Sequence, residues 1–259
     1  MNKLFIDKDI QVYQGIDAEN LISAKNDSKY IEDGAILKVD RDRWTDAQYY
    51  ERKTWMENGL IFSDDRNYEH YQRFDSYRSI VDYQQSNKIK SVIELGCGPF
   101  TNIRTILDIL PNITELSLLD PLIDDYLSHP NCRYRNRQMG NLGVTTYNCP
   151  IEEFETNNKY DLVIMNNVLE HCYDIKKIFN NILNMLNTNG VFVFSDVYFN
   201  ESDVERMVYQ IYDAGHPIKI SKTYMDDFLS NFNSLYDVDL HGLYDQDWRN
   251  DKYFIGVKK

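Results

Sequence analysis

The chain has 259 residues, 42% of them apolar, which is enough for a sizeable core and excludes a wholly disordered chain. Its 28 basic and 41 acidic residues leave a net charge of −13, which argues against nucleic acid or an anionic membrane as the main partner. No apolar run approaches the roughly 18 residues of a membrane helix, and residues 1–9 lack the apolar core and cleavage site of a secretory signal, so none is expected.

Residues 1–85 alternate charged and aromatic side chains with little strand character. Thr45 is placed to N-cap a helix through Ala47, Tyr50, Trp55 and Met56, with Asp46 in its first turn. A second helix is expected over residues 67–85, with Phe74, Tyr77, Ile80 and Val81 on its apolar face. An isolated helix of this kind is marginal in water, so that face must dock. Residues 1–85 are therefore read as a short tail and a helical cap on a second region, 86–259.

From residue 90 short apolar runs alternate with helical patterns: a strand over 91–95, a helix over 101–110, strands over 116–119 and 160–165, a helix over 175–186 and a strand over 190–197. Continuous apolar strands between amphipathic helices indicate a mostly parallel sheet covered on both faces, a doubly wound α/β fold. Residues 236–243 and 252–257 read as a late antiparallel pair. Cys97, Cys132, Cys149 and Cys172 show neither C-x-x-C pairing nor zinc spacing and read as reduced core thiols of a cytoplasmic protein.

The first chemical motif is Val92-Ile-Glu-Leu-Gly-Cys-Gly-Pro-Phe-Thr101. A buried strand runs into Gly96 and Gly98 and then a helix, so the backbone turns tightly beneath a ligand. Three features oppose a dinucleotide. The charge of Glu94 would repel a pyrophosphate, Phe100 and Thr101 leave no third glycine, and no Walker-type lysine follows. An amine or a sulfonium suits that carboxylate. Asp120 ends the next strand, where an acidic side chain can accept both hydroxyls of a ribose.

Glu94-Leu-Gly-Cys-Gly, Leu119-Asp-Pro121, Tyr160-Asp-Leu-Val-Ile-Met-Asn-Asn-Val-Leu-Glu-His171 and Leu186-Asn-Thr-Asn-Gly-Val-Phe-Val-Phe194 resemble the successive motifs of class I S-adenosylmethionine-dependent methyltransferases. Gly215-His216 followed by Tyr224-Met-Asp-Asp-Phe-Leu is similar to the segment after strand five in the small-molecule subgroup. The resemblance spans about residues 88–259 and implies a seven-stranded, Rossmann-like sheet. It implies that Glu94 faces the methionine amine of the cofactor, with Gly96 and Gly98 passing under the methionine and ribose. Asp120 would bind the ribose, and Pro121 or Leu122 would flank the adenine. Ile151 would pack on the adenine and Glu152 reach its amino group, while Asn166 and Asn167 end strand four beside the methyl. Phe100 stands where many relatives carry glycine.

Methyl transfer asks mainly for alignment and exclusion of water. An alcohol acceptor must also lose a proton, and His171 is the candidate general base. Leu-Glu-His also recurs in the family whatever the substrate, so the alternative is that it orders the loop. His216 is expected to line the acceptor pocket and Asp196 to bind an acceptor hydroxyl; Asp196 with Glu170 is weak ground for a metal, and none is expected. Arg133, Arg135 and Arg137 would share one side of an extended segment, as a phosphate-binding patch or a solvated loop. The aromatics Trp44, Tyr49, Tyr50, Trp55, Tyr68, Tyr71, Phe74 and Tyr77, interleaved with Arg41, Arg43, Arg52, Arg66 and Arg73, suit a sugar or nucleotide-sugar, or merely dock the cap.

The expected activity is methylation of a hydroxyl on a small polar acceptor, most specifically a nucleotide-activated sugar of bacterial capsule or surface-polysaccharide synthesis. The expected partners are that small molecule, no nucleic acid and no membrane, with a homodimer admissible. The competing readings are an N-methyltransferase on an amino sugar or other small amine, a non-catalytic cofactor-binding module, and a nicotinamide dehydrogenase, which Glu94 and the missing glycine oppose.

Overall fold

The computed structural model describes residues 27–57, 77–83, 85–209, 214–242 and 249–259, and every statement below concerns these. Most of the helix expected over 67–85, with Phe74, Tyr68 and Tyr71, lies outside them.

The strands are β1 (Ser91–Leu95), β2 (Glu115–Leu119), β3 (Gln138–Met139), β4 (Leu142–Tyr147), β5 (Tyr160–Asn166), β6 (Leu186–Tyr198), β7 (Phe232–His241) and β8 (Asn250–Lys258). They form one sheet in the order β3-β4-β2-β1-β5-β6-β8-β7. β4, β2, β1, β5 and β6 run parallel, and β8 and then β7 add antiparallel at one edge. The doubly wound α/β reading and the late antiparallel pair both hold. The sheet has eight strands rather than seven, because the two-residue β3 forms a hairpin with β4.

The helices are α1 (Arg41–Glu57), α2 (Tyr77–Asp82), α3 (Ile103–Leu107), α4 (Ile123–Ser128), α5 (Ile175–Met185), α6 (Glu201–Tyr209) and α7 (Lys222–Leu229). Alternation along the strands sends Ile93, Val163, Met165 and Phe192 to one buried cluster and Val92, Leu162, Ile164 and Val193 to another, one on each face of the sheet. On the first face α5 buries Ile175, Ile178, Ile182 and Met185, at the spacing of a helix stripe, and Asp174 caps it by accepting from Lys177 N at 3.2 Å. On the second face α3 buries Ile103 and Ile106.

Two local expectations change. α1 begins four residues before Thr45, with Asp40 accepting from Arg43 N at 2.9 Å in the manner of an N-cap. Thr45 Oγ1 instead donates back to the Arg41 carbonyl at 2.8 Å inside the helix. On α2, Tyr77 and Ile80 are buried as expected but Val81 is 42% exposed, so the docking stripe is narrower than the apolar pattern.

α1 is fastened to the sheet domain by its own polar side chains. Arg43, 7% exposed, pairs with Asp27 at 2.9 Å and donates to the Ala214 carbonyl at 2.8 Å. Trp44 Nε1 and Gln48 Nε2 each donate to the His171 carbonyl at 3.0 Å, and Arg52 pairs with Asp125 of α4 at 3.0 Å. Among the described residues no helix is long and apolar enough to cross a membrane.

Candidate active site

A cavity opens at the carboxyl ends of β1, β2 and β5, where strand order reverses on either side of β1, and α1 closes over it. Its floor is the turn after β1. Gly96 N donates to the Leu119 carbonyl at 2.8 Å, which ties the turn to β2. Gly96 has φ +66°, and an added Cβ would lie 2.5 Å from both methyls of Val168. Gly98 has φ +52° and would meet nothing within 4 Å, because it borders the cavity. The two glycines therefore do different work. Gly96→Ala is expected to cost about 1–3 kcal/mol of stability through strain and overlap, read by denaturant unfolding. Gly98→Ala is expected to cost less stability and instead weaken cofactor binding, read by calorimetry.

Asp120 follows β2 with Oδ2 accepting from Gly98 N at 3.0 Å and Oδ1 from Leu122 N at 2.9 Å. These bonds hold the carboxylate at the cavity wall and leave lone pairs on both oxygens. Burial pushes its pKa up to about 7, against the two backbone amides that favour the charged form. Pro121 and Ile151 supply apolar lining. Glu152 also lines the cavity, with Oε1 accepting from Tyr173 N at 2.6 Å and Asp174 N at 3.1 Å. Burial raises its pKa too. At the end of β5, Asn166 Oδ1 accepts from Ser195 Oγ at 3.2 Å, and Asn167, at φ +56°, donates its N–H to the Ser195 carbonyl at 2.7 Å. Both asparagines reach the cavity.

Glu94 and Asp196 do not. Glu94 is fully buried, and its carboxylate accepts from Asn102 N and Nδ2, both at 2.9 Å, from Ile103 N at 3.1 Å and from Thr101 Oγ1. It pins the turn and the start of α3. Asp196 accepts from Val168 N at 2.8 Å, Leu169 N at 2.7 Å and Val197 N at 2.9 Å. Burial, reinforced by the charge of Glu170, raises its pKa. Asp196 holds the segment leading to His171. Asp196→Ala removes the side-chain acceptor of three buried N–H groups and is expected to destabilise the protein by about 2–5 kcal/mol, read as a fall in unfolding midpoint.

His171 ends a short 3-10 turn, Leu169–His171, and lines the cavity. Its ring lies 4.4 Å from that of His216, also in the lining, and its Nδ1 is 3.5 Å from Glu51 Oε2. A further wall comes from α1: Trp44, Gln48, Glu51 and Trp55, spaced i, i+4, i+7, i+11, with Tyr50 and Thr54 beside them. Of these, Gln48, Glu51 and Thr54 were not anticipated as site residues. Their signal is a polar-aromatic stripe at helical spacing, which a search for apolar periodicity passes over.

The arginines lie elsewhere. Arg41 pairs with Glu153 at 2.9 Å and stacks over Trp44, Arg43 pairs with Asp27 and Arg52 with Asp125. Arg66 and Arg73 lie outside the described residues. Arg133, Arg135 and Arg137 sit on successive turns, with Arg137 at φ +52°, so the extended one-sided patch does not form. The turns arise because the backbone folds back on the glycine motif, Arg133 N donating to the Pro99 carbonyl at 3.0 Å. Among the described lining residues there is no lysine or arginine, while Glu51, Asp120 and Glu152 are acidic.

These residues fit S-adenosylmethionine. Gly98 leaves a space that any side chain would fill, Asp120 offers two acceptor oxygens for vicinal hydroxyls, Ile151 and Pro121 offer apolar surface for a purine, and the acidic wall suits a sulfonium.

Comparison with known proteins agrees. Residues 68–233 match the family described as "Methyltransferase domain". No match was found among curated proteins. Among solved structures, the chain is similar to the N-methyltransferase NodS from Bradyrhizobium japonicum WM9 in complex with S-adenosylhomocysteine, with TM-score 0.57 and 16% identity over 82% of this chain and 98% of that one. It is similar to the 1,6-didemethyltoxoflavin-N1-methyltransferase from Burkholderia thailandensis, with TM-score 0.53 and 14% identity over 89% and 98%. It is also similar to an O-methyltransferase of a polyketide synthase of Brevibacillus brevis, with TM-score 0.52 and 13% identity over 80% and 79%. At these identities the likeness is one of fold. With more than half of its length matched by the family, the chain belongs to the methyltransferase-domain family and is an S-adenosylmethionine-dependent methyltransferase.

Proposed function

We propose that the protein methylates a hydroxyl of a small, polar, uncharged acceptor, a sugar unit of the kind used in surface polysaccharides, with His171 as general base. The observation that carries this reading is the His171 imidazole in the wall of the same cavity as Gly98 and Asp120. A hydroxyl holds its proton at neutral pH, and imidazole is the side chain whose ordinary pKa lies nearest the working range. S-adenosylmethionine supplies, when bound, a methyl group on a positively charged sulfur. The acceptor oxygen forms its bond to the methyl carbon as that carbon's bond to sulfur breaks, with the pair returning to sulfur. The acceptor proton passes to His171, so the positive charge moves from sulfur to imidazolium.

The wall formed by α1 supports a sugar. Trp44, Tyr50 and Trp55 offer ring faces for the apolar side of a pyranose, and Gln48 and Thr54 offer hydroxyl partners at its edge. A nucleotide-activated sugar draws less support, because the described lining offers no cation for a diphosphate. A second reading, transfer to an amine, is favoured by one observation: Glu51, Asp120 and Glu152 would hold an ammonium well.

The test is turnover with free sugars, nucleotide-sugars and amino sugars, following S-adenosylhomocysteine release and locating the methyl by NMR. An O-methyl product from an uncharged sugar supports the proposal. An N-methyl product replaces it with the amine reading, and cofactor binding without turnover across the panel leaves a non-catalytic module.

A further inference from the structure

One helix holds the backbone of His171 and brings a carboxylate toward its ring. Trp44 and Gln48 of α1 bond its carbonyl, and Glu51, on the same stripe, brings Oε2 to 3.5 Å from Nδ1. The Glu51 carboxylate is itself fixed, because Oε1 accepts from Trp55 Nε1 at 2.5 Å one turn further on. The two side chains are 17% and 22% exposed, so solvent screens their attraction only in part. Nothing in the methyltransferase assignment gives Glu51 a role.

We propose that Glu51 is a positioning residue for His171: its carboxylate takes the Nδ1–H, leaving Nε2 as the nitrogen that receives the acceptor proton. The proposal deepens the hydroxyl-methylation reading and rests on it for the meaning of that proton. A nucleophile-side base steered by a carboxylate is a recurring solution for imidazole, because the hydrogen bond at one nitrogen decides which nitrogen is basic. The 3.5 Å separation exceeds a hydrogen bond by a few tenths of an ångström, and such contacts tighten when substrate fills the site.

Among the described residues, the other ionisable groups near the ring are placed differently. His216 lies tilted against His171, the ring planes 53° apart, so a proton on one ring opposes a proton on the other. Glu170, the next residue in the chain, is buried and coupled by charge to Asp196, whose oxygens are occupied by backbone amides. Asp120 and Glu152 share the cavity and are oriented by the Gly98, Leu122, Tyr173 and Asp174 amides.

The experiment is an NMR titration of the histidine side chains in the full-length protein, with the His171 signals assigned by their loss in His171→Ala; it requires no acceptor. The wild type is expected to show His171 as the Nδ1–H tautomer, and Glu51→Gln is expected to lower its titration midpoint by about one pH unit, a tenfold weaker hold on the proton. A wild-type His171 protonated at Nε2 overturns the proposal, and this readout stands even if Glu51→Gln fails to fold. An unchanged midpoint in a folded Glu51→Gln overturns it as well. Turnover separates this failure from that of the function itself. Activity lost in His171→Ala with the midpoint unmoved in Glu51→Gln keeps the base and removes its partner. Full activity in His171→Ala removes the base, and the pair's catalytic role with it.

Discussion

Alanine at His171 is expected to lower kcat by about 10²- to 10⁴-fold, the range of general-base catalysis, while leaving affinity for S-adenosylhomocysteine nearly unchanged. The loss is specific to chemistry because the hydrogen bonds from α1 to this residue go to its backbone. Trp44 and Gln48 bond the carbonyl of residue 171, which alanine retains, so α1 keeps its place over the cavity. The neighbouring turn is held from below by Asp196 through Val168 N and Leu169 N, also independently of the imidazole. Steady-state turnover on the methylated acceptor, with calorimetry on the same preparation, checks both halves. A variant that turns over at the wild-type rate assigns His171 to ordering the loop.

Replacing Asp120 acts on the other half of the cycle. Two hydroxyls donating to a buried carboxylate contribute about 1.5–3 kcal/mol each, so Asp120→Ala is expected to weaken S-adenosylhomocysteine binding by at least about 10²-fold. Binding should also follow the ionisation of this one group. With the pKa in the ligand-free protein near 7, the carboxylate is protonated in acid, and a proton competes with the ribose for the same lone pairs. Affinity is therefore expected to fall as pH drops below about 7, approaching tenfold per unit, and Asp120→Asn should flatten that dependence.

Stability moves the other way. Because the folded pKa is raised above the ordinary 3.8, the folded state binds more protons than the unfolded one between about pH 4 and 7, and this group's contribution to stability is lost as pH rises through that window. Asp120→Asn is expected to raise the melting temperature of the ligand-free protein above pH 7 even as it impairs binding, a trade common where a functional charge is buried. Thermal unfolding at pH 6 and pH 8 reads the difference.

Much of the sheet was legible because its strands are continuous apolar runs ended by glycine or aspartate, as in β1 before Gly96 and β2 before Asp120. β3 and β4 were not, since Gly143, Thr145 and Thr146 make 142–147 a half-exposed, polar strand with no apolar run to mark it. The start of α1 was misplaced because aspartate and threonine are both good caps, and local sequence does not say which backbone amide each will meet.

The site divides in the same way. Gly96, Gly98, Asp120, Ile151, Glu152, Asn166, Asn167, His171 and His216 were named from strand ends and their loops, and the fold gathers them around one cavity. Glu94 and Asp196 lie near the ends of their strands, but their carboxylates turn to backbone amides, a choice made by loop geometry that chain order does not encode. Glu51 was invisible for a different reason. Its partner His171 is remote in sequence, and only the docking of α1 brings the two together.

Calorimetric titration of the wild-type protein with S-adenosylhomocysteine at pH 8, with NAD as the parallel ligand, tests the central claim most directly. The account predicts one site per chain with a dissociation constant in the micromolar range or tighter and no comparable heat from NAD. Absence of binding to S-adenosylhomocysteine, or tighter binding of NAD, would contradict it.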